Sequence, residues 1–383
     1  MELLRLLRWC RFLAPATLET AFTKAEIANL AGAGYIKRHA KSGAYVLTGK
    51  GGRLLDDTFE EDVLPQMQRA YRETDIQRRL YIACLTVTAF RAGVHVFTDD
   101  IEDLRKEPAL FLPSNSRGRG ANPWANTRIA AVAALGGTAY AAHYVRPGVG
   151  RLLFSDELAA FTRNTSLLRT QAQALLFSDE LAAFARNISL LRTPAQAFLF
   201  FGDSYGELLA ELEHSEEKDE GRLISYGEAY RRLRLPAHLL TCDDAGVTQL
   251  RIMSTPNYRA KLTRIALKSK YTPPPEDLPQ CDALFDGAPF LLAADMDLRR
   301  IDTAVDAARD RRCGPIVLAA LEAQAEAVLY GRYRDTGKAR VFTLTDAALQ
   351  EFLGAGTAGR DSSHLLFTTA KGEVIHAPLI KAH

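Results

Sequence analysis

Thr23–Leu55 reads TKAEIANLAGAGYIKRHAKSGAYVLTGKGGRLL, and its order is that of a helix, a basic hairpin and a second helix. Thr23 followed three residues later by Glu26 is a capping box. Ile27, Leu30 and Ala31 then recur at helical spacing and give one apolar face. Gly32 and Gly34 end the helix. Tyr35-Ile36 and Ala44-Tyr45-Val46-Leu47-Thr48 predict two strands, joined by the polar, basic turn Lys37-Arg38-His39-Ala40-Lys41-Ser42-Gly43. Thr48 and the glycines after it open the closing helix. This is the order of parts in a winged-helix DNA reader.

The first helix offers little for base readout. Only Lys24 and Asn29 are groove-reading types on it, whereas direct readout relies on Arg, Lys, Asn or Gln. The cations gather in the hairpin instead, at Lys37, Arg38 and Lys41, with His39 among them and Lys50 and Arg53 just beyond. Cations placed this way meet phosphates, and phosphate contacts position a protein without specifying sequence. The reading is DNA binding; contact with a protein partner through the same small unit is the alternative.

Upstream, Glu2–Leu13 is an amphipathic helix by its leucine spacing, and Pro15–Phe22 is a second helix with proline in its first turn. Residues 1–60 thus form a winged-helix domain. Residues 61–97 read as a helical spacer, broken near Pro65. Its face of Ile76, Leu80, Ala83, Cys84 and Val87 is a candidate homodimer seam, since paired heads meet paired half-sites. Residues 98–127 are rich in Pro and Gly and contain the basic loop Ser114–Gly120, a linker by composition.

Residues 128–383 alternate strands with helices, which predicts a mixed-sheet α/β domain. The strands are Arg128–Leu135, Thr138–Val145, Phe198–Phe201, His238–Thr241, Thr248–Met253, Pro289–Ala294, Ile316–Ala319 and Arg340–Thr343. The helices are Tyr205–Glu213, Ser225–Leu233, Leu298–Arg311 and Leu321–Tyr330. Within this domain a 23-residue segment, 152–174, is repeated at once as 175–197, with differences only at Thr162/Ala185, Thr165/Ile188 and Gln171/Pro194. Two copies do not make a solenoid; the reading is two similar helices, one of them redundant.

The whole chain, 383 residues with a net charge of +2 and 47% hydrophobic content, is long enough for two or three domains. With so little net charge, nucleic-acid affinity has to come from local patches. Five scattered cysteines without metal-ligand or redox spacing suit a reducing cytoplasm and argue against a disulfide framework. No apolar run approaches membrane-spanning length, so membrane partners are not expected.

The sequence contains no P-loop, Gly-x-Ser-x-Gly or His-Glu-x-x-His pattern. The best constellation for chemistry is PQCDALFDGAPFLLAADMDLRR, residues 279–300. A hairpin turning at Asp286-Gly287 has Asp282 before it and Asp295 and Asp297 at the end of the returning strand. Alternation would put the last two on one face, where with Asp282 they form a candidate site for a divalent cation. A restriction-endonuclease-like core has an acidic-x-Lys pair on that strand, and here Asp297 stands in place of the Lys. A metal-dependent nuclease using the three aspartates is the enzymatic alternative. A solvated carboxylate pair, or a helix cap before Leu298, is the structural alternative for the acidic hairpin.

The order of parts resembles the replication-relaxation family, winged-helix proteins carried on plasmids and conjugative elements of bacteria. The residues that carry the resemblance are Gly34-Tyr35-Ile36-Lys37-Arg38 with Tyr45-Val46-Leu47-Thr48, the strand Gly137–Tyr144, and Cys281-Asp282-Ala283 with Asp295-Met296-Asp297. The family shows Pro-Asp at the hairpin and Glu-x-Asp on the strand; Cys281 and Asp295 depart from both. The resemblance implies a non-enzymatic protein that binds double-stranded DNA in the replication, transfer or transcription control of a mobile element, with a degenerate endonuclease-like domain.

Overall fold

The computed structural model describes residues 1–59, 72–98, 101–115, 129–145, 152–153, 195–213, 223–224, 230, 235–276, 278, 280–310, 314–354 and 380–382. Most of the tandem repeat, the loop beyond Asn115, Pro65, nearly all of the helix expected over Ser225–Leu233, and Cys313 lie outside them.

The N-terminal unit follows the predicted order. Helix α1 (Glu2–Cys10) buries Leu3, Leu4, Leu6, Leu7 and Trp9, and α2 (Pro15–Glu19) buries Leu18. Helix α3 (Lys24–Gly32) starts on the expected capping box. The Thr23 hydroxyl accepts from the Glu26 amide at 3.2 Å, and the Glu26 carboxylate accepts from the Thr23 amide at 2.8 Å. Strands β1 (Ile36–Arg38) and β2 (Tyr45–Leu47) pair antiparallel, with Ile36 opposite Leu47. Leu13 flanks the two-stranded sheet as an isolated bridge, exchanging two backbone hydrogen bonds with Tyr45 at 3.1 and 2.8 Å.

Helix α4 (Gly49–Thr58) closes the unit. Thr48 ties it to the hairpin: its hydroxyl donates to the Gly34 carbonyl at 2.7 Å and accepts from the Gly51 amide at 3.1 Å. Gly51 has to be glycine, because a Cβ there would lie 2.3 Å from the Tyr35 carbonyl oxygen.

Helix α5 (Glu73–Arg91) is exposed at its first turn and largely buried from Ile82 to Ala89. Its predicted dimer face is taken by the chain itself: Ile76 and Leu80 pack with Phe12, Ala44 and Val46. Ile82, Ala83, Leu85, Val87 and Ala89 join a core that begins at Leu3 and reaches both sheets beyond. The helix is therefore a shared wall between the N-terminal unit and the second half, where the sequence suggested a spacer or a seam.

The second half holds two five-stranded mixed sheets. In the first, β3 (Ala109–Phe111), β4 (Ala131–Leu135), β5 (Thr138–Tyr144), β7 (Ala195–Gly202) and β9 (Ala237–Thr241) lie side by side in that order. The β3–β5 part is antiparallel, and β5, β7 and β9 run parallel. A two-stranded pair, β6 (Leu152–Leu153) with β8 (Leu223–Ile224), stands apart. The second sheet repeats the plan. Hairpin β10 (Ala283–Phe285) and β11 (Ala288–Leu292) is followed by parallel β12 (Ile316–Ala320) and β13 (Ala339–Leu344), with β14 (Ile380–Ala382) antiparallel at the edge.

Helices α6 (Tyr205–Glu213), α7 (Asp244–Ser254) and α8 (Tyr258–Leu267) accompany the first sheet in sequence, and α9 (Leu298–Asp310), a π-helix (Ala325–Arg334) and α10 (Asp346–Leu353) the second. Each sheet's last parallel strand of this plan runs into a capped helix. Asp243 accepts from the Gly246 amide at 2.9 Å to start α7, and Thr345 from the Ala348 amide at 3.3 Å to start α10.

Three sequence expectations fail here. Residues 98–127 were expected to be a linker, but the apolar run Ala109–Phe111 within them is buried as β3, paired with β4 in the first sheet. Thr248–Met253 was expected to be a strand, but it lies inside α7. The Asp243 cap decides this, together with the close approach of Gly246, where a Cβ would fall 1.7 Å from the Thr241 carbonyl oxygen. The strand expected to run to Ala294 stops at Leu292. Cys10, Cys84, Cys242 and Cys281 are free thiols, and burial pushes that of Cys10 up to about 12. Among the described residues no helix is long and apolar enough to cross a membrane.

Candidate functional site: the basic hairpin and the buried carboxylates

The eight residues singled out for DNA contact divide into two groups. Arg38, His39 and Lys50 hold the hairpin in shape. Arg38 lies over the Tyr45 ring at 4.0 Å and donates to the Gly43 carbonyl at 2.8 Å. His39 Nδ1 lies 3.0 Å from the Ser42 hydroxyl, and its ring meets Phe12 edge to face. Lys50 donates to the Ala33 carbonyl at 2.9 Å, at the end of α3, and lies over the Tyr35 ring.

Lys37, Lys41 and Arg53 are exposed. Among the described residues they have no hydrogen bond, ion pair or ring contact. On α3, Asn29 is exposed, and Lys24 faces solvent with only a 3.7 Å approach to Glu19. The other exposed residues of α3 are Ala25, Glu26, Ala28 and Gly32; the Glu26 carboxylate is held by Thr23 in the capping box, so the helix carries few groups able to read a base edge. Strand alternation sends Lys37 and Arg38 to opposite faces of the ribbon, so the three hairpin cations do not act as one cluster.

The three aspartates behave differently from a metal site. Asp282 precedes β10; one carboxylate oxygen accepts from the Leu292 amide at 2.7 Å and the other from Arg300 at 2.5 Å. Asp295 and Asp297 stand in the turn after β11, not on the strand, with Met296 between them in the left-handed region at φ 50°. The turn, rather than strand alternation, brings them together. Asp297 caps α9, accepting from the Arg300 amide at 3.2 Å and from the Ala237 amide at 3.3 Å.

Asp295 is 1% exposed. Its carboxylate accepts from the Tyr258 hydroxyl at 2.5 Å and from Arg259 at 2.9 and 2.5 Å. The same guanidinium lies 3.5 Å from Asp297. Burial by itself would raise the Asp295 carboxyl, but Arg259, helped by His238 and Arg300, outweighs it and holds the group well below the ordinary carboxylate range. Burial and Asp295 together push the Tyr258 hydroxyl well up, so it stays a donor.

This cluster seals the junction between the sheets. The Leu239 amide donates to the Met296 carbonyl at 3.1 Å, and His238 and Asp297 form an antiparallel bridge. The His238 ring reaches the Asp295 carbonyl at 2.8 Å through Nδ1, which must carry the proton to donate there. The Gln249 amide donates to the Leu239 and Asp295 carbonyls at 2.7 and 2.9 Å, and that of Gln324 to the Ala294 carbonyl at 3.0 Å and to Gln249 at 3.1 Å.

The residues present do not fit a divalent cation. Each carboxylate is already matched by a guanidinium or by backbone amides, and among the described residues no group of three His, Cys, Asp or Glu side chains could hold a metal. The expected grouping of Asp282 with Asp295 and Asp297 is thus replaced by two separate arginine-bound carboxylates and a helix cap. Sequence reading did not find Arg259, His238, Gln249 or Gln324. The only signal was Pro256-Asn257 ahead of Tyr258-Arg259, a helix start whose direction the sequence does not give.

No protein-family model matches the chain, and no curated protein or solved structure matches it significantly.

Proposed function

We propose that this chain is a non-enzymatic DNA-binding protein whose N-terminal unit docks on duplex DNA as a winged helix. The hairpin grips the phosphate backbone, and the endonuclease-like second half is a platform. The observation that carries the reading is the division among the cations. Arg38, His39 and Lys50 make contacts that brace the hairpin, while Lys37, Lys41 and Arg53 are exposed and make no such contact among the described residues. An ordered hairpin with its remaining cations facing solvent is pre-organised for an anionic surface. The sparse polar face of α3 adds that binding is led by phosphates and weakly selective in sequence. The resemblance to replication-relaxation proteins supports a mobile-element setting.

Fluorescence anisotropy with a labelled duplex at several salt concentrations tests this. Replacing Lys37, Lys41 and Arg53 together with Ala is expected to weaken binding alike across sequences and to lower the salt slope by about 3, roughly 0.9 for each lost phosphate contact. Unchanged affinity would instead favour a protein-interaction role, to which the small-residue face of α3 is suited.

The platform role predicts no plasmid nicking with Mg²⁺ or Mn²⁺. Phosphodiester hydrolysis by metal needs carboxylates free to hold it, and Arg259 and Arg300 occupy the carboxylates here. Nicking by the wild type that depends on the added metal and is abolished by chelator would establish the nuclease reading.

A further inference from the structure

We propose that α8 carries a second phosphate-binding track, centred on Lys261 and Arg264, which extends the DNA contact beyond the N-terminal unit. The inference rests on the DNA-binding reading above, but its evidence is independent of the hairpin. Between Asp244 and Glu276 the sequence has no acidic residue, yet it holds Arg251, Arg259, Lys261, Arg264, Lys268 and Lys270. In a chain of net charge +2 this is a marked separation of charge.

The structure sorts these cations by use. Arg251 donates to the Arg91 carbonyl at 3.0 Å, and Arg259 turns inward to Asp295. Lys268 is paired with Glu351, and Lys270 with Asp286 at 2.8 Å. Lys261 and Arg264 remain. Both are exposed, and neither has a carboxylate partner among the described residues.

Helix geometry gives these two a common face. Tyr258, Leu262, Ala266 and Leu267 are buried, which fixes the inward side of α8. Lys261 and Arg264, three residues apart, stand on the other side about 4.5 Å apart along the axis. That is close to the ~3.4 Å axial spacing of phosphates on one strand of duplex DNA. The Arg264 guanidinium lies 5.4 Å from the Tyr271 ring, so part of its ordering cost is met before any ligand arrives. The inward pairing of Arg259 matters as well. It neutralises Asp295 at the start of the helix, so the buried carboxylates do not offset the outward charge.

The experiment compares three forms of the full chain on a labelled duplex several helical turns long. These are the wild type, Lys261→Ala with Arg264→Ala, and the charge-keeping exchange Lys261→Arg with Arg264→Lys. The double Ala form is expected to lose roughly tenfold in affinity and about 2 in salt slope, while the exchange form stays near wild type. Two outcomes overturn the track. One is wild-type binding by the double Ala form when the Lys37, Lys41, Arg53 triple variant is impaired, which leaves the hairpin reading standing. The other is equal loss in the Ala and exchange forms, since the effect would not then be one of charge. If the wild type itself fails to bind duplex at low salt, the track and the DNA reading fall together. Both side chains are exposed, so unfolding is not expected, and a thermal melt monitored by circular dichroism checks it.

Discussion

Lys37 and Lys41, on the N-terminal hairpin, and Asp295 and Asp297, just beyond the β10–β11 hairpin, are charged pairs at comparable places in local structure. The lysines face solvent. The aspartates are buried under one guanidinium. An exposed charge costs little to leave unpaired, because water solvates it. A buried charge has to be matched, because desolvation costs several kcal/mol. Charges of the first kind remain available to a ligand; those of the second kind are already spent on the fold. The difference explains why a motif of acidic residues that suggests catalysis becomes, in three dimensions, a fastening between two sheets.

The largest effect is expected at Asp295. Asp295→Ala leaves Arg259 and the Tyr258 hydroxyl without their shared acceptor and is expected to cost about 3–5 kcal/mol in urea unfolding. A loss below about 1 kcal/mol would mean that the cluster is not holding the junction.

The same carboxylate carries a pH signature. Its folded-state pKa lies below the unfolded value of about 3.9, so its stabilisation is complete above that value and drains away as pH falls through the lower, folded one. The stability gap between wild type and Asp295→Asn should therefore narrow below about pH 4. A gap that widened on acidification would show the opposite sign of shift.

At the other end of the molecule, Thr48→Ala removes the α4 cap and the hydroxyl bond to Gly34. The expected cost is about 1–2 kcal/mol. Lys50→Met should cost about 1 kcal/mol or less, since its bond to Ala33 is exposed. Lys37→Met should leave stability within ~0.5 kcal/mol while weakening DNA binding. If the Lys37 variant were the less stable of the two, the division into bracing and free cations would be wrong.

Deleting residues 152–174 is also expected to have little effect. The deletion removes the Leu152-Leu153 strand that pairs with β8, but it brings Leu175-Leu176 into the same sequence context and keeps Ala195–Gly202 as β7. Denaturant unfolding should change by less than about 1 kcal/mol; a loss above about 3 kcal/mol would place the first copy in the core.

Several elements were legible because their cause is local. The α3 capping box, the β1–β2 hairpin, the Asp286-Gly287 turn and α6 over Tyr205–Glu213 all formed where spacing and turn chemistry put them. The strand expected at Thr248–Met253 failed because apolar residues in a short run suit either period, and a cap six residues away, measured from Asp243 to Gln249, outweighed the pattern. The role of α5 was misread for another reason. An apolar helical face states that something covers it, and here Phe12, Ala44 and Val46 of the same chain do so.

The N-terminal order of helices and hairpin, the cations there, and the alternation that builds the mixed sheets are all written in local sequence. These follow from capping, turns and periodicity, which act within a few residues. Which charges are available follows from long-range packing. Arg259 lies 36 residues from Asp295 in the chain, and Arg300 lies 18 from Asp282. Whether a carboxylate holds a metal, caps a helix or fastens two sheets depends on which cation the packing brings beside it, and that pairing acts across distances no local pattern encodes.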